Sequence, residues 1–106
     1  MTRTNERTIE RHQILWRDIP VLVEYERDAF GQSGGRYHVS HLQVRSLAKG
    51  RALPVSETGY RSRFLDPDQV GALGGPVAYA TQWLDASAKH PAWKHVEADQ
   101  RQGSLF

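Results

Sequence analysis

Five histidines, at positions 12, 38, 41, 90 and 95, are the first residues to weigh for chemistry, because imidazole serves both metal binding and proton transfer. Their spacing argues against both uses. His38 and His41 stand three apart in an alternating segment, which places them on opposite faces of a strand and prevents joint chelation. His90 and His95 flank Pro91 and miss the four-residue step that aligns two ligands on a helix, and no His-Glu-x-x-His pattern occurs. Neither a metal nor a cofactor is expected. The chain has no cysteine, which excludes disulfides, thiolate zinc, thiol nucleophiles and iron–sulfur ligation.

The densest polar segment is Ser56-Glu57-Thr58-Gly59-Tyr60-Arg61-Ser62-Arg63. An enzyme built there would use Glu57 as a base, with Tyr60, Arg61 and Arg63 holding an anionic substrate, because guanidinium presents a planar fork to carboxylate or phosphate. General acid–base work needs a second titratable partner, and no histidine or further carboxylate stands nearby. The simpler reading makes Thr58-Gly59 a turn and Glu57 a local partner for Arg61. No catalytic residue is assigned. Gly71-Ala72-Leu73-Gly74-Gly75-Pro76 looks superficially like a phosphate cradle. A cradle needs free amides at the helix start and usually a lysine, whereas Pro76 removes one amide and no lysine follows.

Charge is distributed unevenly. The chain of 106 residues carries a net +2, yet residues 1–35 sum to −1, residues 36–65 to +5 and the remainder to −2. The middle block holds Arg36, Arg45, Lys49, Arg51, Arg61 and Arg63 against Glu57 alone. Clustered charge raises the local potential even where net charge is small, so this block is a candidate surface for phosphates. Arg45, Arg61 and Arg63, read as sharing an outward sheet face, are the candidate nucleic-acid-binding residues. The alternative is a small polar domain that solvates one face with arginine.

Gln102-Gly103-Ser104-Leu105-Phe106 resembles the bacterial sliding-clamp-binding pentapeptide: a glutamine, two variable residues, then leucine and phenylalanine. Gly103 departs from the leucine often preferred at the second position. In the clamp reading two adjacent apolar anchors fill a preformed pocket while the glutamine amide fixes register. In the opposing reading Leu105 and Phe106 fold back on this domain's own core. The segments Leu53-Pro54-Val55-Ser56-Glu57-Thr58-Gly59-Tyr60-Arg61-Ser62-Arg63-Phe64 and Gly74-Gly75-Pro76-Val77-Ala78-Tyr79, with Trp16-Arg17, are similar to a family of small uncharacterised proteins from bacterial plasmids and other mobile elements. That resemblance implies a bacterial, cytoplasmic, mobile-element setting and no catalytic residues.

The elements that must position these residues follow from periodicity. Residues 1–11 read as a polar N-terminal tail, 12–98 as one domain and 99–106 as an extended C-terminal tail. Gln13–Trp16 and Ile19–Glu26 read as strands joined by a two-residue hairpin at Arg17-Asp18, with Ile19, Val21, Val23 and Tyr25 on one face. Tyr37–Leu47 alternates again, placing Ser40, Leu42 and Val44 opposite His41, Gln43 and Arg45. Tyr60–Leu65 has strand chemistry, with Tyr60, Ser62 and Phe64 opposite Arg61 and Arg63. Asp66-Pro67-Asp68 reads as a turn. Val77, Ala80, Leu84 and Ala88 recur at three- and four-residue steps, predicting a helix over 77–89, and Pro91 opens a short second helix through Ala98. The helical stripe is expected to meet Leu42, Val44 and Phe64.

The fold class is therefore α+β: an antiparallel sheet of three to four strands with one main C-terminal helix on one face, in the order ββββα with a possible short second helix. No run approaches the roughly 18 apolar residues of a membrane span, so a cytoplasmic protein without membrane contact is expected. The leading functional reading is a non-enzymatic adaptor tethered to a sliding clamp through Gln102, Leu105 and Phe106. Nucleic-acid binding through Arg45, Arg61 and Arg63 is the alternative, and a small enzyme at Glu57, Tyr60 and Arg61 is the third.

Overall fold

The computed structural model describes residues 9–29 and 39–103. Four strands, β1 (Ile9–Trp16), β2 (Ile19–Glu26), β3 (Ser40–Ser46) and β4 (Tyr60–Leu65), form one sheet in the order β1-β2-β3-β4, every neighbouring pair antiparallel. Three helices follow: α1 (Pro67–Ala72), α2 (Pro76–Ser87) and α3 (Pro91–Gly103). The α+β class read from the sequence is the observed one. Among the described residues no helix is long and apolar enough to cross a membrane.

The β1–β2 hairpin turns at Arg17 and Asp18, both with positive φ (46° and 68°), the left-handed pair that a two-residue turn matched to strand twist requires. β1 begins at Ile9 rather than at Gln13, inside the stretch expected to be a polar tail. Residues 9–11 belong to the sheet because β2 continues opposite them, with Ile9, Glu10 and Arg11 paired to Glu26, Tyr25 and Glu24. Residues 1–8 lie outside the described residues.

Register assigns the faces. Ile19, Val21, Val23 and Tyr25 of β2 and Ser40, Leu42 and Val44 of β3 are all buried, forming the inner face as alternation predicts. Ala80 and Leu84 of α2, with Ala88 at its C-cap, close over them, and α2 packs chiefly on β2 and β1. Trp16 anchors the same layer, donating its indole N–H to Asp85 Oδ1 at 2.8 Å and setting its ring against Trp93 of α3, centroids 5.9 Å apart. Burying such an apolar set supplies most of the folding free energy.

Two helical segments differ from expectation. Asp66-Pro67-Asp68 starts α1 rather than making a simple turn: the Asp66 side chain accepts from the Asp68 amide at 2.9 Å, Pro67 occupies the first turn, and Val70 is buried. The backbone stays helical five residues beyond Ala98, to Gly103, where an extended tail was expected. The stretch from Glu97 to Gln102 contains no proline or glycine to stop it, and Gly103 is the first glycine it reaches.

Between β3 and β4 the chain tucks Leu53 into the core and closes a small bridge between Leu53 and Ser56. It re-enters the sheet through Gly59, at φ +81°, whose carbonyl accepts from the Ser46 amide at 2.7 Å. A Cβ there would stand 2.7 Å from the Arg51 carbonyl oxygen, so only glycine fits.

Candidate nucleic-acid interface at the edge strand

β4 pairs with β3 on one side only, so among the described strands it is an edge. Its register corrects two expectations. Arg61 stands opposite Val44 and Arg63 opposite Leu42, and residues directly paired across an antiparallel ladder share a face. Arg61 and Arg63 therefore lie on the inner, helix-bearing side, while Arg45 lies on the outer side opposite Tyr60. The three arginines do not share an outward face; they flank the edge strand from both sides. Phe64 likewise leaves the expected core: it pairs with His41 on the outer face and is 59% exposed. The physical reason is helix placement. Because α2 packs chiefly on β2 and β1, the inner side of β4 is left open enough for long guanidinium side chains to run along it and keep their heads in water.

On the inner side, Arg63 lies over the Trp83 ring at 4.7 Å and donates from Nη1 to the Tyr79 hydroxyl at 3.2 Å. Arg61 donates from Nη1 to the Val55 carbonyl at 3.4 Å. The two line a cleft of about 280 Å³ with Pro54, Val55, Trp83 and Ser87. On the outer side, Arg45 lies over the Tyr60 ring at 4.7 Å, and Tyr60 donates its hydroxyl hydrogen to Gln43 Oε1 at 2.8 Å. His41 and Phe64 stack with centroids 4.7 Å apart, tilted by 39°. No helix covers this outer face among the described residues: Gln13, Leu22, Arg45 and Tyr60 form one cross-strand row, Arg11, Glu24, Gln43 and Ser62 the next.

Among the described residues, Arg45, Arg61 and Arg63 make no ion pair with a carboxylate. Glu57, expected beside Arg61, stands exposed with no partner among the described residues, and Arg61 turns to a backbone carbonyl instead. The trio proposed for anionic-substrate chemistry does not converge, because neighbouring Tyr60 and Arg61 point to opposite faces. His41 supports Phe64, His90 accepts from the Ala92 amide through Nδ1 at 3.1 Å at the start of α3, and His38 lies outside the described residues. No group of three or more histidines and carboxylates among the described residues is arranged to hold a metal ion. A second groove, about 440 Å³, runs between the Ala52–Glu57 segment and α3, with Leu53, Val55, Trp93 and Val96 on its walls and Arg61 at its margin. Gln102 falls in the last turn of α3, and Leu105 and Phe106 lie outside the described residues.

The family model for the KlcB third domain matches residues 9–93, from the first residue of β1 into the opening turn of α3. The chain belongs to the KlcB third-domain family. This is a plasmid-associated family, in keeping with the mobile-element setting that the sequence resemblance implied. No curated protein and no solved structure matches the chain. The KlcB-domain match encloses all of β3, β4 and α2, hence Arg45, Arg61, Arg63, Tyr60, Phe64 and Trp83, and stops short of Gln102, Leu105 and Phe106.

Proposed function

We propose that this KlcB-type domain is a non-enzymatic binding module that grips nucleic-acid phosphates along the free edge of β4. The observation that carries the reading is the trio of exposed guanidiniums, Arg45, Arg61 and Arg63, flanking an edge strand with no carboxylate paired to them among the described residues. Each is held by an aromatic ring or a neutral oxygen, contacts that orient the fork while leaving its charge available to phosphate. The sequence block that contains them agrees in sign, since residues 36–65 sum to +5 with the trio included. Such a surface binds by releasing condensed counterions, so affinity falls steeply with salt. Three phosphate contacts predict a slope of log K against log salt between about −2 and −3. Fluorescence anisotropy with a labelled oligonucleotide, titrated with salt, measures it. The variant carrying Arg45→Ala, Arg61→Ala and Arg63→Ala should bind weakly with a nearly flat slope; a wild type that binds no nucleic acid at low salt rejects the reading.

A second reading is favoured by one feature, the sequence Gln102-Gly103-Ser104-Leu105-Phe106, and is compatible with the first, because a protein held at a bacterial sliding clamp works beside DNA. In it Gln102 sets register and Leu105 and Phe106 fill the clamp's pocket. A peptide of these five residues should bind a bacterial sliding clamp near the micromolar range, about −8 kcal/mol. Leu105→Ala with Phe106→Ala should abolish that binding and leave the melting temperature of the full chain unchanged. A lowered melting temperature together with a non-binding peptide assigns those side chains to the domain's own core.

A further inference from the structure

We infer that the nucleic acid this domain takes is single-stranded, with unpaired bases stacked on the outer-face rings of Tyr60 and Phe64. The inference rests on the nucleic-acid reading above and adds what that reading leaves open, the strandedness of the partner and the surface that reads it. Phosphate contacts alone favour no such choice. The rings do.

Tyr60 and Phe64 stand on the same face of β4, four residues apart, and both are exposed, at 36% and 59%. Each is held in place from the neighbouring strand. The Arg45 guanidinium lies over Tyr60, and the bond from the Tyr60 hydroxyl to Gln43 fixes the ring's direction. His41 packs against Phe64. Rings already ordered lose little further freedom when a ligand arrives, which favours their use as contacts.

Exposed aromatic rings gain little from duplex DNA, whose base faces are covered by their neighbours. They gain from bases that are splayed out of a stack. At about 3.3 Å per residue, the two rings lie roughly 13 Å apart along the strand. Bases in a regular stack rise only about 3.4 Å each, so the two platforms cannot hold consecutive stacked bases. They fit a strand drawn out across the sheet, one base at each ring. Between them lie Gln43 and Ser62, which pair across β3 and β4 and offer an amide and a hydroxyl to an intervening nucleotide. The charge needed for the backbone is beside them: Arg45 on the same face and Arg61 and Arg63 around the edge.

The test compares two probes by fluorescence anisotropy at matched low salt: a labelled mixed-sequence single strand of about 16 nucleotides, the top of the site-size range for one small single-strand fold, and the same strand annealed to its complement. The full chain should bind the single strand more tightly. Tyr60→Ala and Phe64→Ala should each weaken single-strand binding by roughly fivefold to 150-fold, the range for a lost base–aromatic stack, and Phe64→Ala, which touches none of the three arginines, should leave duplex binding unchanged. Tyr60→Phe, which keeps the ring and loses only the Gln43 bond, should retain most of the affinity, and thermal melts of all three variants confirm folding. Equal or tighter duplex binding, with alanine variants that change neither probe, overturns this inference and leaves the phosphate-gripping reading standing. Failure of both probes to bind overturns both. A wild-type dimer in sedimentation that Tyr60→Ala and Phe64→Ala dissolve assigns the face to a second copy and also overturns it.

Discussion

The arginines of the β1–β2 half and those of the β3–β4 half are the same side chain put to different uses. In the first half, Arg11 meets Glu24 across the ladder at 2.7 Å, and Arg17 leaves the hairpin to meet Glu97 of α3 at 3.2 Å while its guanidinium lies over Trp16. Both charges are cancelled locally, and the Arg17 contact joins the hairpin to the helical layer. In the second half, Arg45, Arg61 and Arg63 rest on Tyr60, Trp83, Tyr79 and the Val55 carbonyl, none of which cancels charge. The difference originates in composition: residues 1–35 hold six acids for their five arginines, whereas residues 36–65 hold one acid for six basic residues. What it teaches is that arginine count alone does not separate charge cancelled within the fold from charge left available; the nearby carboxylate does.

The comparison breaks most severely if the shared core is damaged, because both halves hang from it. Leu84→Ala removes a fully buried side chain of α2 and should cost about 2–5 kcal/mol, read as a lower midpoint in chemical denaturation. An unchanged midpoint would detach α2 from the sheet and with it the explanation of why the inner side of β4 stays open. A smaller effect sharpens the first half. A double-mutant cycle on Arg17→Ala and Glu97→Ala should return a coupling of about 0.2–1 kcal/mol, the range for an exposed pair whose side chains are 45% and 25% accessible. A stability effect of similar size belongs to the second half. Arg61→Ala with Arg63→Ala should shift unfolding by about 0.5–1 kcal/mol at most, since only the Arg63 contact with Trp83 and two exposed hydrogen bonds to uncharged oxygens are lost.

Much of the inner face was legible in the sequence, because Ile19, Val21, Val23, Tyr25, Leu42 and Val44 alternate cleanly and alternation alone decides which side is buried. β4 was not. Its two sets, Tyr60 with Phe64 and Arg61 with Arg63, alternate just as cleanly, and hydrophobicity assigns the rings inward. Pairing register and the position of α2 over β2 and β1 decide otherwise, and neither is a local property of residues 60–65. Helix α1 was hidden by Gly71, Gly74 and Gly75, although Asp66-Pro67 is itself a helix-start signal. The candidate arginines were legible as a charge block, but their division between the two faces was not.

The most direct test is to remove equal positive charge from the two halves and compare the salt dependence of nucleic-acid binding. Arg11→Ala with Arg17→Ala and Arg61→Ala with Arg63→Ala each delete two guanidiniums, and anisotropy titrations over a range of salt concentrations measure the slope for each. The second pair should flatten the slope by about 1.4–1.8, two phosphate contacts' worth, while the first pair leaves it where the wild type has it. Equal flattening by both pairs, or a wild-type slope near zero, would contradict the division of the molecule into an architectural half and a binding half.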